Sequence, residues 1–505
     1  MREHGVHMTG PADNPWWRDA VVYQVYPRSF QDSDGDGEGD LRGVVQRLDH
    51  IRELGADALW LSPVYPSPMA DGGYDVAAYA DIDPRSGTLA DADALIAAAH
   101  ERGLKLLLDV VPCHTSIEHP WFRDHPERYV WSDRDGPQNN WIASFGGAAW
   151  SRDARFGRWY LHSFYPEQPD LDWRRQDVRD AVGEALRFWL ARGVDGFRLD
   201  AIDRLLKDPE LRDDPPASGP PRLPEHADVD TLEHVHSRNA PDIGLALRAL
   251  REAVGEDTLL VGEVYLPADA LAPYLEHVDC AFAFELLHAP WEPGPVRAAI
   301  ENALDPVGAD GRIAWVLSNH DFPRLPDRYG ARNTRAAALL ALTLPGAVFV
   351  YQGDEIGMAD GPGGDPPHDR AGRDAHRHPM RWDDDAPHGG FTSADGRPWL
   401  PAIPVEGGGV AQQAGSPGSV LCLYRDLIAA RRTLGRGLTF LDDVADDVLA
   451  FRRGEDHVVA LNMSDAARPA PRAGALVRAT DAMHHRAGAA APAELAAGEG
   501  FLATI

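Results

Sequence analysis

The chain has 505 residues, enough for two or three domains around a large core, and 44% of it is hydrophobic, as in ordinary globular proteins. Its formal net charge of −30 excludes nucleic acid and an anionic membrane surface as partners and implies an acidic, solubilising shell. Three cysteines, Cys113, Cys280 and Cys422, stand far apart with no CxxC, which excludes a disulfide framework or thiolate metal centre and points to a reducing cytoplasm.

The N-terminal stretch MREHGVHMTGPADNP carries no apolar signal-peptide core, and no apolar run approaches the ~20 residues that span a bilayer. The first predicted strand is AVVYQVY (20–26). Directly after it, DSDGDGEGD (32–40) sets Asp32, Asp34, Asp36 and Asp40 at alternating positions, with Gly37 for a sharp turn and Glu38 offering a backbone carbonyl. This is the front half of an EF-hand-like loop, so a structural Ca²⁺ or Mg²⁺ ion is expected, although Gly43 stands where such a loop needs its bidentate glutamate. ALWLSPV (58–64), a helical stretch at 92–103 and LKLLLDVV (104–111) follow. A long excursion at 113–173, rich in Trp, Asp, Pro and Gly, interrupts the rhythm. It resumes with a helix at 177–193, VDGFRLD (194–200), a Pro- and Asp-rich loop at 208–228, TLLVGEV (258–264), DCAFAFEL (279–286), RIAWVLSNHD (312–321) and GAVFVYQGDE (346–355). A second excursion occupies 356–412, before a helix at 421–432.

Eight continuous apolar runs alternating with helices predict an α/β (β/α)₈ barrel over 1–112 and 174–432, with an insertion subdomain at 113–173. A doubly wound sheet is disfavoured because no Gly-rich fingerprint follows the first strand. Residues 433–505 read as short antiparallel strands, a small C-terminal β-sandwich domain.

Charged residues recur at the ends of these buried runs: Asp109 and His114, Arg198 and Asp200, Glu263, and His320 with Asp321. Burying charge is costly, so their convergence at one end of a barrel predicts a site. Three carboxylates, an arginine and two histidines suit cleavage of a glycosidic bond, in which one carboxylate attacks the anomeric carbon and another, its pKa raised, protonates the leaving oxygen. Arg198, two residues before Asp200 and on the same face of its strand, keeps that carboxylate ionised.

The motifs DVVPCH, GFRLDAID, VGEV, SNHD and QPDLDW (168–173) closely resemble those of the α-amylase superfamily of retaining glycoside hydrolases. QPDL and QGDEIGM (352–358) resemble its oligo-1,6-glucosidase and α-glucosidase branch. The resemblance implies Asp200 as nucleophile, Glu263 as acid/base and Asp321 as the third carboxylate. It further implies that His114, His320 and Arg198 line the glucose subsite, that Tyr74 stacks on the sugar, and that Phe145 and Phe164 wall it. Asp71 with Arg377 would grip the non-reducing end, and Ala201, where α-1,6-preferring members carry Val, implies a preference for α-1,4 bonds. Cys113 stands where the family usually has an Asn that helps hold calcium, so that calcium site is not expected; the loop at 32–40 matches a different metal site of the branch. The implied activity is an exo-acting α-glucosidase of short oligosaccharides without organic cofactor. The alternative is a glucosyl transferase or isomerase, of sucrose or trehalose-forming type, built on the same triad. A non-catalytic binding homologue is disfavoured because all three carboxylates are present.

Overall fold

Short runs of β-branched and aromatic residues with no polar face must be covered on both sides. The computed structural model describes residues 15–219, 231–305, 307, 311–481 and 487–505. In it the eight runs become β1 (Val21–Val25), β2 (Ala58–Leu61) and β3 (Lys105–Val110) and, after a hairpin of β4 (Trp150–Asp153) and β5 (Arg158–Leu161), β6 (Gly196–Leu199), β7 (Leu259–Gly262), β8 (Cys280–Phe282), β9 (Ile313–Val316) and β10 (Ala347–Tyr351). They pair in parallel in the order β1-β10-β9-β8-β7-β6-β3-β2, and β1 pairs with both β10 and β2, so the sheet closes and has no edge. The signal-peptide question at residues 1–14, and positions 220–228 of the Pro- and Asp-rich loop, concern segments outside the described residues.

Alternation along each strand sorts the side chains into two layers. On β1, Val21, Tyr23 and Val25 join the large core between barrel and helices, while Val22 joins Trp60, Leu107, Val261, Phe282, Val316 and Phe349 inside the barrel. The inner layer forms the floor of the site. Parallel register then fixes neighbours above it: Asp109 on β3 lies beside Arg198 on β6, and Arg198 beside Val261 on β7.

The excursion between β3 and β6 carries the β4–β5 hairpin and its own aromatic core around Trp141 and Trp150. Beyond the helix Val420–Arg431, a five-stranded antiparallel sheet has the order β11 (Leu438–Phe440), β12 (Val448–Arg453), β13 (His457–Asn462), β17 (Gly500–Thr504), β15 (Leu476–Ala479), and β14 (Arg468–Pro469) pairs separately with β16 (Glu494–Leu495). Arg453 of β12 donates to the Thr343 carbonyl at 2.5 Å, joining this sheet to the barrel helix Thr334–Thr343. Among the described residues no helix is long and apolar enough to cross a membrane.

Candidate active site

Asp200 and Glu263 each stand one residue beyond a barrel strand, β6 and β7, where the sheet's hydrogen bonds still hold the backbone. Asp200 N–H donates to Val110 O and Glu263 N–H to Leu199 O, both at 2.9 Å. The chain then turns at Ala201 through a left-handed conformation, φ 45° and ψ 47°, which aims the Ala201 N–H at Glu263 Oε2, 2.9 Å away. Arg198 lies beneath, over the Trp60 ring at 5.2 Å. Its Nη1 donates to Asp200 Oδ1 at 2.6 Å and to Asp109 Oδ1 at 2.9 Å, and its Nη2 meets Glu263 Oε1 at 2.5 Å. One guanidinium thus serves three buried carboxylates.

That imbalance sets the protonation pattern. Burial pushes Glu263 up to about 8 and Asp200 and Asp109 to about 7, against the pull of Arg198. A hydrogen bond from Glu263 further lowers Asp200. Glu263 therefore keeps its proton to higher pH than Asp200 does.

Asp321 shows the opposite behaviour. Burial alone would raise it, but the guanidinium charges of Arg373, Arg377 and Arg198 outweigh that and hold it well below the usual carboxylate range. Arg373 Nη1 and Arg377 Nη2 donate to Asp321 Oδ1 at 2.9 and 3.1 Å. His320, pushed down to about 3 by burial, is neutral. Its Nδ1 accepts from Gln24 Nε2 at 2.8 Å, and its Nε2 lies 2.7 Å from the Tyr74 hydroxyl, which donates to Asp109 Oδ2 at 3.0 Å. This chain of bonds fixes the Tyr74 ring at the cavity wall.

The expected pairing of Asp71 with Arg377 is corrected by the structure: Arg373 makes that bond, Nη2 to Asp71 Oδ1 at 2.5 Å. Arg373 opens a short 3₁₀ turn, Arg373–His376, after Gly372 at φ 80°, and this turn sends Arg373 inward and Arg377 behind it. Arg377 Nε instead donates to His320 O at 2.8 Å, and its guanidinium lies over Tyr26 at 5.3 Å. Gly72 lets the chain pass there, since a Cβ would sit 2.8 Å from Arg377 Nη1. Asp71 Oδ2 also accepts from Gln168 Nε2 at 2.9 Å, and Gln168 Nε2 lies 2.9 Å from His114 Nε2. His114 Nδ1 is buried with no partner.

A cavity of about 1080 Å³ collects Asp71, Tyr74, His114, Asp200, Glu263, Asp321 and Arg373 at one end, with Phe145, Phe164 and Ala201 along its wall. Arg198, His320 and Arg377, expected as lining, stand fully buried behind that wall. Phe145, 37% exposed, stacks on Tyr165 at 4.3 Å at the mouth, and Phe164 packs on His114 at 5.1 Å.

Behind His114 lies a buried cation that sequence reasoning missed. Lys207 Nζ is 2.6 Å from Asp170 Oδ2, donates to Arg204 O at 2.5 Å, and sits 3.7 Å from Cys113 Sγ. Asp170 also accepts from Ser163 N and Oγ at 2.9 and 2.5 Å. The one signal for this role was rarity, since Lys105 is the only other lysine.

The loop at 32–40 brings carboxylate oxygens of Asp32, Asp34 and Asp40 within 4.8 Å of one another. Asp32 accepts backbone N–H groups from Asp34, Gly35 and Gly37 and the Thr392 hydroxyl, and its own N–H donates to Phe391 O. The loop is thereby stitched to the second excursion. Asp40 caps the helix Leu41–Leu54, accepting Gly43 N–H at 2.8 Å, and a Cβ at Gly43 would lie 1.9 Å from Gln31 O, which is why no glutamate can stand there. Asp36 and Glu38 stand outside the converging set: Asp36 accepts Glu38 N–H at 2.8 Å, and the Glu38 carboxylate pairs with Arg28 at 2.5 Å, leaving its carbonyl as the remaining donor.

The family described as "Alpha amylase, catalytic domain" matches residues 24–437. The chain is 40% identical over 510 residues to a probable α-glucosidase of Rhizobium meliloti (strain 1021), covering 90% of each. It is 36% identical to an oligo-1,6-glucosidase of Parageobacillus thermoglucosidasius, over 83% of this chain and 84% of that one. Among solved structures, an α-glucosyl transfer enzyme shares 35% identity and superposes with a TM-score of 0.88 over 97% of this chain and 100% of that one.

Proposed function

The chain belongs to the α-amylase family of glycoside hydrolases, and on that premise we propose that it is an exo-acting retaining α-glucosidase of short oligosaccharides that favours α-1,4 bonds. The observation that carries this is the Arg198 bridge, which binds Asp200, Asp109 and Glu263 at once in a buried cluster where Glu263 keeps its proton to higher pH than Asp200. Asp200 attacks the anomeric carbon while Glu263 gives its proton to the leaving oxygen. Water then enters, Glu263 takes its proton, and the Asp200 ester opens with net retention. Asp321, kept anionic by its arginines, accepts sugar hydroxyls and favours the distorted ring, and the unpartnered His114 Nδ1 is free to bond another hydroxyl. The Asp71–Arg373 pair closes the cavity behind a terminal glucose, which supports exo action.

The loop at 32–40 we assign to a structural Ca²⁺ or Mg²⁺ ion. Its donors are hard oxygens, three of them converging, and burial together with Asp34, Asp32 and Glu38 raises Asp36, a crowding that a divalent cation relieves. The ion would supply charge neutralisation only, away from the reacting groups. A cytoplasmic location is supported by three free cysteines. A glucosyl-transferring enzyme is the second reading, favoured by the likeness to the solved transfer enzyme.

The deciding experiment is proton NMR of maltose hydrolysis within the first turnovers. α-Glucose is expected first; β-glucose first refutes double displacement. Product chromatography on maltose, isomaltose, sucrose and trehalose separates hydrolysis from isomerisation and transfer.

A further inference from the structure

The guanidinium of Arg373 offers its N–H donors in a planar fork, and the carboxylates of the cavity take only part of them. Nη1 donates to Asp321 Oδ1 at 2.9 Å and Nη2 to Asp71 Oδ1 at 2.5 Å. The other edge is held by Asp369, which does not line the cavity. Arg373 Nε donates to Asp369 Oδ2 at 3.0 Å and Nη2 to Asp369 Oδ1 at 2.7 Å, a two-pronged pairing that fixes the plane of the guanidinium. The hydrogen left over is on Nη1. Asp369 Oδ2 also accepts the Arg373 backbone N–H at 2.8 Å, so the same carboxylate opens the turn Arg373–His376. Asp369 is 5% exposed; burial would raise it, but Arg373 and Arg377 outweigh that and hold it down at about 2, so it is ionised at neutral pH. Its backbone is pinned in turn, Asp369 N–H donating to Asp374 Oδ1 at 3.1 Å, while Oδ2 of the buried Asp374 accepts His368 N–H at 2.7 Å. Arg377 Nη1 lies 3.8 Å from Asp369 Oδ1, beyond hydrogen-bond reach.

We propose that Asp369 is the positioning residue of the grip on the terminal glucose: by holding the far edge of Arg373 and the start of its turn, it decides that Arg373 and not Arg377 meets the sugar. The inference rests on the glucosidase reading, with Asp71 and Arg373 as the closed end of the pocket. An arginine side chain is long and rich in rotamers. Held by Asp71 and Asp321 alone, Arg373 could settle on either carboxylate and turn its remaining hydrogen away from the sugar. The Asp369 fork removes that freedom before substrate arrives. Asp369 stands outside the cavity, so its effect on turnover passes through Arg373.

The test is a double-mutant cycle in the full-length enzyme with Asp369→Asn, Arg373→Ala and the two combined. Asparagine keeps an oxygen for the Arg373 N–H, so the turn still forms, but it lacks the charge and the second prong. On maltose, Asp369→Asn is expected to lower kcat/KM about tenfold, the larger part as a rise in KM, and to cost less than about twofold once Arg373 is alanine. Calorimetric binding of 1-deoxynojirimycin, a glucose-shaped ligand, should follow the same pattern without turnover. Asp369→Asn within about twofold of wild type overturns the proposal, and so does an equal loss in both backgrounds, which would make Asp369 a structural residue only. Arg373→Ala equal to wild type removes the grip, and the proposal with it. If wild type binds the iminosugar but leaves maltose intact, the glucosidase reading fails, and the binding cycle alone decides for or against Asp369.

Discussion

Replacing Arg373 by alanine removes bonds to Asp71 at 2.5 Å, to Asp321 at 2.9 Å and to Asp369 at 2.7 Å. Its side chain is 12% exposed, so water returns only part of what is lost. A hydrogen bond to a charged group is worth ~1.5–3 kcal/mol. A terminal glucose held between Asp71 and Arg373 loses one such bond outright, and the freed Asp71 and Asp321 carboxylates repel each other across the gap. Together these effects amount to about 3–4 kcal/mol, a fall of about 10²–10³-fold in kcat/KM on maltose. The pH profile should move as well. Arg373 is among the groups that hold Asp321 down; without it Asp321 rises toward the ordinary range, protonates earlier as pH falls, and shifts the acid limb to higher pH. Arg377→Ala, which touches Asp321 but bonds His320 O in place of Asp71, should cost less and leave the grip on the terminal ring in place. Steady-state kinetics on maltose across pH for both variants checks this. If Arg373→Ala stays within about threefold of wild type while Arg377→Ala loses activity, the assignment of the grip to Arg373 is wrong.

Because burial pushes Glu263 up to about 8 and the acid must carry its proton, kcat/KM on maltose should fall as pH rises through about 8, and Glu263→Gln should hurt maltose more than 4-nitrophenyl α-glucoside; a profile still flat two units higher would contradict the role. Ala201→Val puts a β-branched residue into a left-handed, 3% exposed position on the cavity wall, so the maltose/isomaltose ratio of kcat/KM should drop by ~1–3 kcal/mol and Tm should fall; an unchanged ratio shows that Ala201 does not set linkage. EDTA should lower Tm more than it lowers activity, because the loop at 32–40 lies outside the reacting set, and a melting curve indifferent to both EDTA and added Ca²⁺ or Mg²⁺ would remove the ion. Lys207→Met leaves the fully buried Asp170 without its cation and should cost ~3–5 kcal/mol in denaturant unfolding; a loss within experimental scatter would mean that Asp170 is adequately held by Ser163.

The eight strands were legible because each is a short apolar run too uniformly hydrophobic for a one-sided sheet, and the carboxylates were legible because charge at the end of such a run needs a reason. The runs overshot the strands: RIAWVLSNHD extends to Asp321, whereas β9 stops at Val316. The residues beyond are held by side chains instead, Asn319 Oδ1 accepting the N–H groups of Asp321 and Phe322. Arg373 was missed because both arginines lie in an irregular excursion with no period to phase them, and one 3₁₀ turn decides which faces inward. The left-handed backbone of Ala201 was equally invisible, since nothing local demands it; the closure of β6 against β7 does. Asp36 looked like its neighbours in sequence, and only the path of the loop separates its carboxylate from the converging set.

Lys207 is a cation tied to the chain by its own side chain. A dissociable ion at such a position would stabilise in proportion to the logarithm of its free concentration, and would be lost on dilution or to a competing chelator. A tethered ammonium has no such equilibrium: its local concentration is set by the fold and is the same in every compartment and buffer. The wall behind His114 and Asp170 is therefore closed to control by ion supply. The metal proposed for this protein belongs instead to the loop at 32–40, after the first strand.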